Sequence, residues 1–223
     1  METATILYEV IAAGFIVYFI ISYAYKVLKI RNVEEALLTS KGLLFLNLKH
    51  FIGIILFGAL LFLIAPKYRY LVWSFDAFSL KALVWMLPVM ILSSVMAYRS
   101  VNKRLRVLTG RSNYRFDQVW NYFGIRMLFL FSYEFFFRGV IFFSCLEVLD
   151  LTMALLITTG LYVLIHSFDS RNEILGAIPF GIILCLFSYY TESIWPAFLI
   201  HLTLSGVYEF TIFRQLTLKT TRS

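Results

Sequence analysis

Tyr122 to Cys145 read YFGIRMLFLFSYEFFFRGVIFFSC. A helix needs about 20 mostly apolar residues to cross the hydrocarbon core of a bilayer, and this run supplies them. Near its middle stand Glu134 and Arg138, four positions apart. That spacing puts both side chains on one face of a helix, where they can pair. The stretch therefore reads as a transmembrane helix that carries an internal ion pair into the membrane.

Six further runs meet the same criterion: Ile6–Ala24, His50–Ala65, Leu83–Tyr98, Leu151–Phe168, Ile174–Tyr190 and Ile194–Phe213. The expected fold is all-α, a polytopic transmembrane helical bundle of about seven spans. Composition agrees, because 61% of the 223 residues are hydrophobic and only 15% are charged. The mean hydropathy is +0.81. Soluble domains run nearer half apolar and a quarter charged. Cys145 and Cys185 both fall within apolar runs, which suggests buried, inert thiols rather than a disulfide framework. The first run lacks a basic leader and is followed by Lys26, Lys29 and Arg31, so it reads as an uncleaved anchor.

The net charge of +7 would suggest nucleic-acid binding in a soluble protein. Here topology accounts for it, and no nucleic-acid partner is expected. Lys26, Lys29, Arg31 and Lys41 lie between the first two spans. Arg99, Lys103, Arg104, Arg106, Arg111 and Arg115 lie between the third and fourth, and Arg214, Lys219 and Arg222 follow the seventh. With seven spans all three groups share a side. The opposite side carries Lys67, Arg69 and Lys81 and two acidic turns, Glu147–Asp150 and Thr191–Glu192. The positive-inside rule then places the N-terminus outside and the C-terminus in the cytoplasm.

Ionisable groups within a span cost about 2.5–3.5 kcal/mol each on insertion scales, which makes them functional candidates. Four stand out beyond the basic loop: Glu134, Arg138, His166 near the end of the fifth span, and His201 inside the seventh. The Glu134–Arg138 pair, neutral as a unit and satisfying its own donors, reads first as structural. A lone membrane histidine is ordinarily an interhelical hydrogen bond. Two histidines beside a buried carboxylate could instead position a water for general-base catalysis. The same set could hold zinc, with His166 and His201 as ligands. His50, beside Lys49 at a span edge, reads as interfacial. There is no His-Glu-x-x-His helix, no Gly-x-Ser-x-Gly elbow and no phosphate-cradling glycine loop. No broken helices recur in matching halves, as a transporter would require.

Three blocks in order carry a resemblance. They are Tyr133-Glu134-Phe-Phe-Phe-Arg138-Gly139, then Tyr162-Val-Leu-Ile-His166, then His201-Leu-Thr-Leu-Ser205 preceded by the Trp195-Pro196 turn. Together they resemble the CPBP (Abi) family of intramembrane proteases, which includes type II CAAX prenyl endopeptidases and bacteriocin-related membrane proteins. The likeness covers roughly Tyr122 to Ser205. It implies a core of the last four spans, residues 116–223, behind a three-helix membrane region, 1–115, with basic cytoplasmic loops. It also implies a bacterial cytoplasmic membrane as the setting, and a membrane peptide or protein as substrate or partner.

In the family's first motif a glutamate pair precedes the arginine spacing, and its first glutamate is understood to activate water with the second-motif histidine. The third-motif His and Asn are thought to stabilise the oxyanion. Carried over, that glutamate falls on Tyr133 and that asparagine on Ser205. A tyrosine phenol, with a pKa of about 10, is a poor base at neutral pH. Glu134 could replace the base only by leaving the face it shares with Arg138, because adjacent helix residues point about 100° apart. The resemblance thus leaves two expectations. One is a pseudoprotease that binds a peptide or helix. The other is an active hydrolase, metal-dependent or not, that uses His166 and His201. The catalytic candidates are Tyr133, Glu134, His166, His201 and Ser205.

Overall fold

The computed structural model describes residues 2–75, 79–106, 112–115 and 119–221, with side chains described from 6 to 217. Arg111, Arg222 and the side chain of Lys219, which entered the reading of orientation, lie outside the described residues. Seven helices are long and apolar enough to cross a membrane. The elements are α1 (Glu2–Val27), the short α2 (Val33–Leu38), α3 (Gly42–Ile64) and α4 (Leu80–Leu105). They continue with α5 (Trp120–Leu146), α6 (Leu151–Ile165), α7 (Arg171–Thr191) and α8 (Trp195–Thr221). Among the described residues there is no strand.

Several spans are longer than their apolar runs, α8 for one continuing past Phe213 to Thr221. α3 begins at Gly42, not His50, because Asn47, Lys49 and His50 interrupt the hydrophobic run without interrupting the helix. α4 continues past Tyr98 to Leu105, carrying Lys103 and Arg104 in its last turn, where cations suit the negative helix end.

α5 is the central helix. In its apolar window 78% of residues are buried, against at most 44% in any other span. Being surrounded by protein is what lets it hold charge away from lipid. The largest apolar cluster gathers Tyr18 of α1, Phe57 of α3, Phe136 and Phe137 of α5, Ile165 of α6 and Phe198 of α8. The front helices thus contribute to the same core as the back ones.

Small residues bring α3 against α5. A Cβ at Gly58 would stand 2.4 Å from Ser132 Oγ, and one at Gly53 would stand 2.4 Å from the Phe129 ring. Such close approach is how helices associate where no hydrophobic force drives them together. Both helices widen into π turns at this crossing, Ile54–Ala59 in α3 and Phe135–Ile141 in α5. There Phe57 stacks on Phe136 with ring centroids 4.2 Å apart. π turns occur often at functional sites.

The connections are built from caps. Asp150 caps α6 through the amide of Met153. Ser170 and Glu173 form a capping box at the start of α7. Between them α6 closes in a 3₁₀ turn, His166–Phe168, tied to the first connection by Arg31 Nη1 donating to the Phe168 carbonyl at 3.1 Å. The Trp-Pro turn before α8 is fixed by Trp195 Nε1 donating to the Val72 carbonyl at 2.9 Å and Ser193 Oγ donating to the Ser74 carbonyl at 2.8 Å. Cys185 is buried as expected, whereas Cys145 is only half-buried, and both thiols are free.

Candidate intramembrane site

Glu134 is the last residue before the π turn of α5, and Arg138 lies within that turn; both are fully buried. Glu134 Oε1 lies 2.5 Å from Nδ1 of His201 on α8. Its other oxygen, Oε2, lies 3.2 Å from Nη1 of Arg138. One carboxylate therefore serves partners on two helices. Glu134 thus reaches His201 while keeping the face it shares with Arg138.

The ion pair does not satisfy its own donors, contrary to expectation. The guanidinium approaches Glu134 without a well-directed hydrogen bond, and its nitrogens lie buried beside Tyr162 and Cys185 as well. Its compensation is partly aromatic. The guanidinium carbon lies 4.1 Å from the centroid of the Tyr162 ring, a cation–π contact. The aromatic residue four before His166 thus caps Arg138, and its ring also meets His166 edge-on at 4.7 Å.

His166 sits where α6 ends. Its Nδ1 is 2.8 Å from Asp169 Oδ2, so Nδ1 carries the proton that the carboxylate accepts when the ring is neutral. Its Nε2 is buried without a hydrogen-bond partner. Asp169 was missed in the sequence because attention rested on groups inside spans, although a carboxylate three residues after a helix-ending histidine is a legible signal. Both candidate histidines are consequently oriented by a carboxylate, one local and one from another helix.

Tyr133 packs among rings. Phe137 lies 4.7 Å away, Phe129 5.5 Å, and His201 and Tyr162 each 5.9 Å by centroid distance. Its hydroxyl is buried with no hydrogen-bond partner. Ser205 stands one turn beyond His201 on α8, half-buried, and no hydrogen bond joins it to His201 or Glu134.

Rings of Phe129, Phe137, Tyr162 and Phe180 pack about this cluster. The best-formed spaces lie elsewhere. One, of about 490 Å³, is an apolar groove between α6 and α7 lined by Leu155, Gly160, Val163 and Ile178. The other, of about 230 Å³, lies beside Lys67, Tyr68 and Glu147. Among the described residues no three His, Cys, Asp or Glu side chains come together to hold a metal ion. His166 and His201 by themselves are fewer than the three or four protein ligands of a zinc site.

A second buried polar group went unread in the sequence. Arg126 of α5 lies 2.9 Å from Glu209 of α8, and the Tyr122 hydroxyl donates to the same carboxylate at 2.9 Å. His50 is buried rather than interfacial. It stacks on Phe129 at 4.8 Å, and its Nε2 lies 3.5 Å from Arg126 Nη1. Arg126 and Glu209 each lie eight residues from the member of the Glu134–His201 pair on their own helix. α5 and α8 are therefore antiparallel, joined by two polar rungs.

These features define a polytopic helical membrane protein with a charged, histidine-containing site at its buried centre. Residues 115–207 match the family model described as type II CAAX prenyl endopeptidase Rce1-like. The similarity is thus confined to the C-terminal part of the chain, where it takes in the buried site. The match takes in every candidate residue from Tyr133 to Ser205. No curated protein and no solved structure is similar enough to the chain to count as a match.

Proposed function

We propose that this chain is a catalytically degenerate family member, a pseudoprotease that binds a peptide or helix within the membrane. The observation that carries this reading is the engagement of Glu134. Its Oε1 meets His201 Nδ1 and its Oε2 stands 3.2 Å from the Arg138 guanidinium, an arrangement that supports a structural role for the carboxylate. The neighbouring position, where the family places its water-activating glutamate, holds the ring-packed phenol of Tyr133. Ser205 in place of asparagine weakens the oxyanion side as well, since its side chain is shorter. The setting proposed is a bacterial cytoplasmic membrane, with the N-terminus outside and the C-terminus in the cytoplasm.

The test is cleavage of a model membrane peptide by the full chain in proteoliposomes. The unmodified protein is expected to leave the peptide intact over hours, and Tyr133→Glu to gain measurable turnover. Robust proteolysis by the unmodified protein sinks the proposal.

A second reading is favoured by His166. With Nδ1 held by Asp169 and Nε2 free of partners, it is arranged as a general base. On that reading the chain is an active endopeptidase for a peptide tail or a lipidated C-terminus. His166→Ala and His201→Ala would then each abolish turnover.

A further inference from the structure

Among the described residues Lys49 makes no ion pair. It lies on α3, half-buried, with its ammonium 5.7 Å from the ring centroids of both Tyr18 and Tyr25. Those two rings are themselves buried, so the ammonium faces the bundle rather than lipid. Its neighbours are spoken for. Arg126 is matched by Glu209, and Asp169 is held by His166. Asp169 and Arg126 are near enough to act on Lys49 electrostatically, yet among the described residues no carboxylate lies within 4 Å of its ammonium. A partly desolvated ammonium walled by aromatic faces is a ready receptor for an anion.

We propose that Lys49 receives a carboxylate of a bound peptide, at the end of the site marked by the His166–Asp169 turn. This rests on the peptide-binding reading above and adds a specificity determinant to it. Position selects the ligand. A lipid phosphate stays at the headgroup level, whereas Lys49 lies behind two buried tyrosines. The carboxylate could be a chain terminus or an acidic side chain, and the experiment separates them.

The full chain is reconstituted in zwitterionic phosphatidylcholine nanodiscs. Three fluorescent versions of one apolar octapeptide are titrated: a free-acid terminus, an amidated terminus, and an amidated terminus with one internal glutamate. The free-acid or glutamate peptide is expected to bind at least about tenfold more tightly than the blocked one. Whichever of the two gains identifies the source of the carboxylate. Lys49→Gln should erase the difference and Lys49→Arg should keep most of it, which separates loss of charge from loss of folding. Equal binding of all three peptides overturns the assignment and leaves peptide binding standing. No binding of any peptide overturns both. Discrimination that survives Lys49→Gln also overturns it. So does discrimination that vanishes when anionic phosphatidylglycerol replaces a third of the lipid, since Lys49 would then be a lipid contact.

Discussion

At the scale of single residues, the decisive group is Arg138. It is fully buried, it lacks a well-directed acceptor, and its charge is balanced by one oxygen of Glu134 and the face of Tyr162. Removing one partner of a buried pair leaves an uncompensated charge and costs about 3–5 kcal/mol, whereas replacing both by apolar groups is often close to neutral. Glu134→Gln is therefore expected to destabilise the protein by roughly that amount. The double change Glu134→Gln with Arg138→Met should recover most of it. Unfolding in mixed micelles of rising SDS fraction reads both. A Glu134→Gln protein as stable as the parent would show that Arg138 does not depend on Glu134. Glutamine keeps the length and can still meet His201, so the loss reports mainly on the cation. The i, i+4 spacing of the pair was readable in the sequence because it is local. Its incomplete hydrogen bonding was not, because that depends on a π turn and on a ring from another helix.

At the scale of elements, α5 and α8 are fastened by two rungs, Glu134–His201 and Arg126–Glu209, eight residues apart on each helix. The second rung, well away from the reacting groups, fixes the sliding and rotation of α8 and so helps deliver His201 to Glu134. A double-mutant cycle with Arg126→Met and Glu209→Gln should give a coupling energy of about 1–3 kcal/mol, the range for groups sharing a buried polar network. Additive effects within about 0.3–0.5 kcal/mol would show that the rung does not bind the two helices. The spans, and the histidines within them, were legible because hydrophobic length and isolated polarity are properties of one segment. The partnership of Arg126 with Glu209 was not, since the two lie 83 residues apart. For the same reason His50 read as interfacial: its burial comes from Phe129 and Tyr122, which belong to another helix. The reach of α3 and α4 beyond their apolar runs is a third case, because a helix tolerates polar residues wherever neighbours or the interface receive them.

At the scale of the whole molecule, the antiparallel pairing of α5 and α8 constrains topology. These are the fourth and seventh spans, and if every span crosses once they must run in opposite senses, as the two rungs require. Arg31 at the first connection binds the Phe168 carbonyl after the fifth span, and Arg104 at the end of the third pairs with Glu34. The segments after the first, third and fifth spans thus meet at one end of the bundle. At the other end, the turn after the fourth span meets the segment after the second through Lys67 and Glu147, which pair at 2.7 Å. In the orientation proposed above, the Arg31 end faces the cytoplasm. A green fluorescent protein fused after residue 223 should fluoresce. Alkaline phosphatase inserted at residues 148–149 should be active, and the same enzyme inserted at residues 112–113 should be silent. The reverse pattern would place Lys49 and the His166–Asp169 turn on the outer face, and the ligand of the site would then have to arrive from outside the cell.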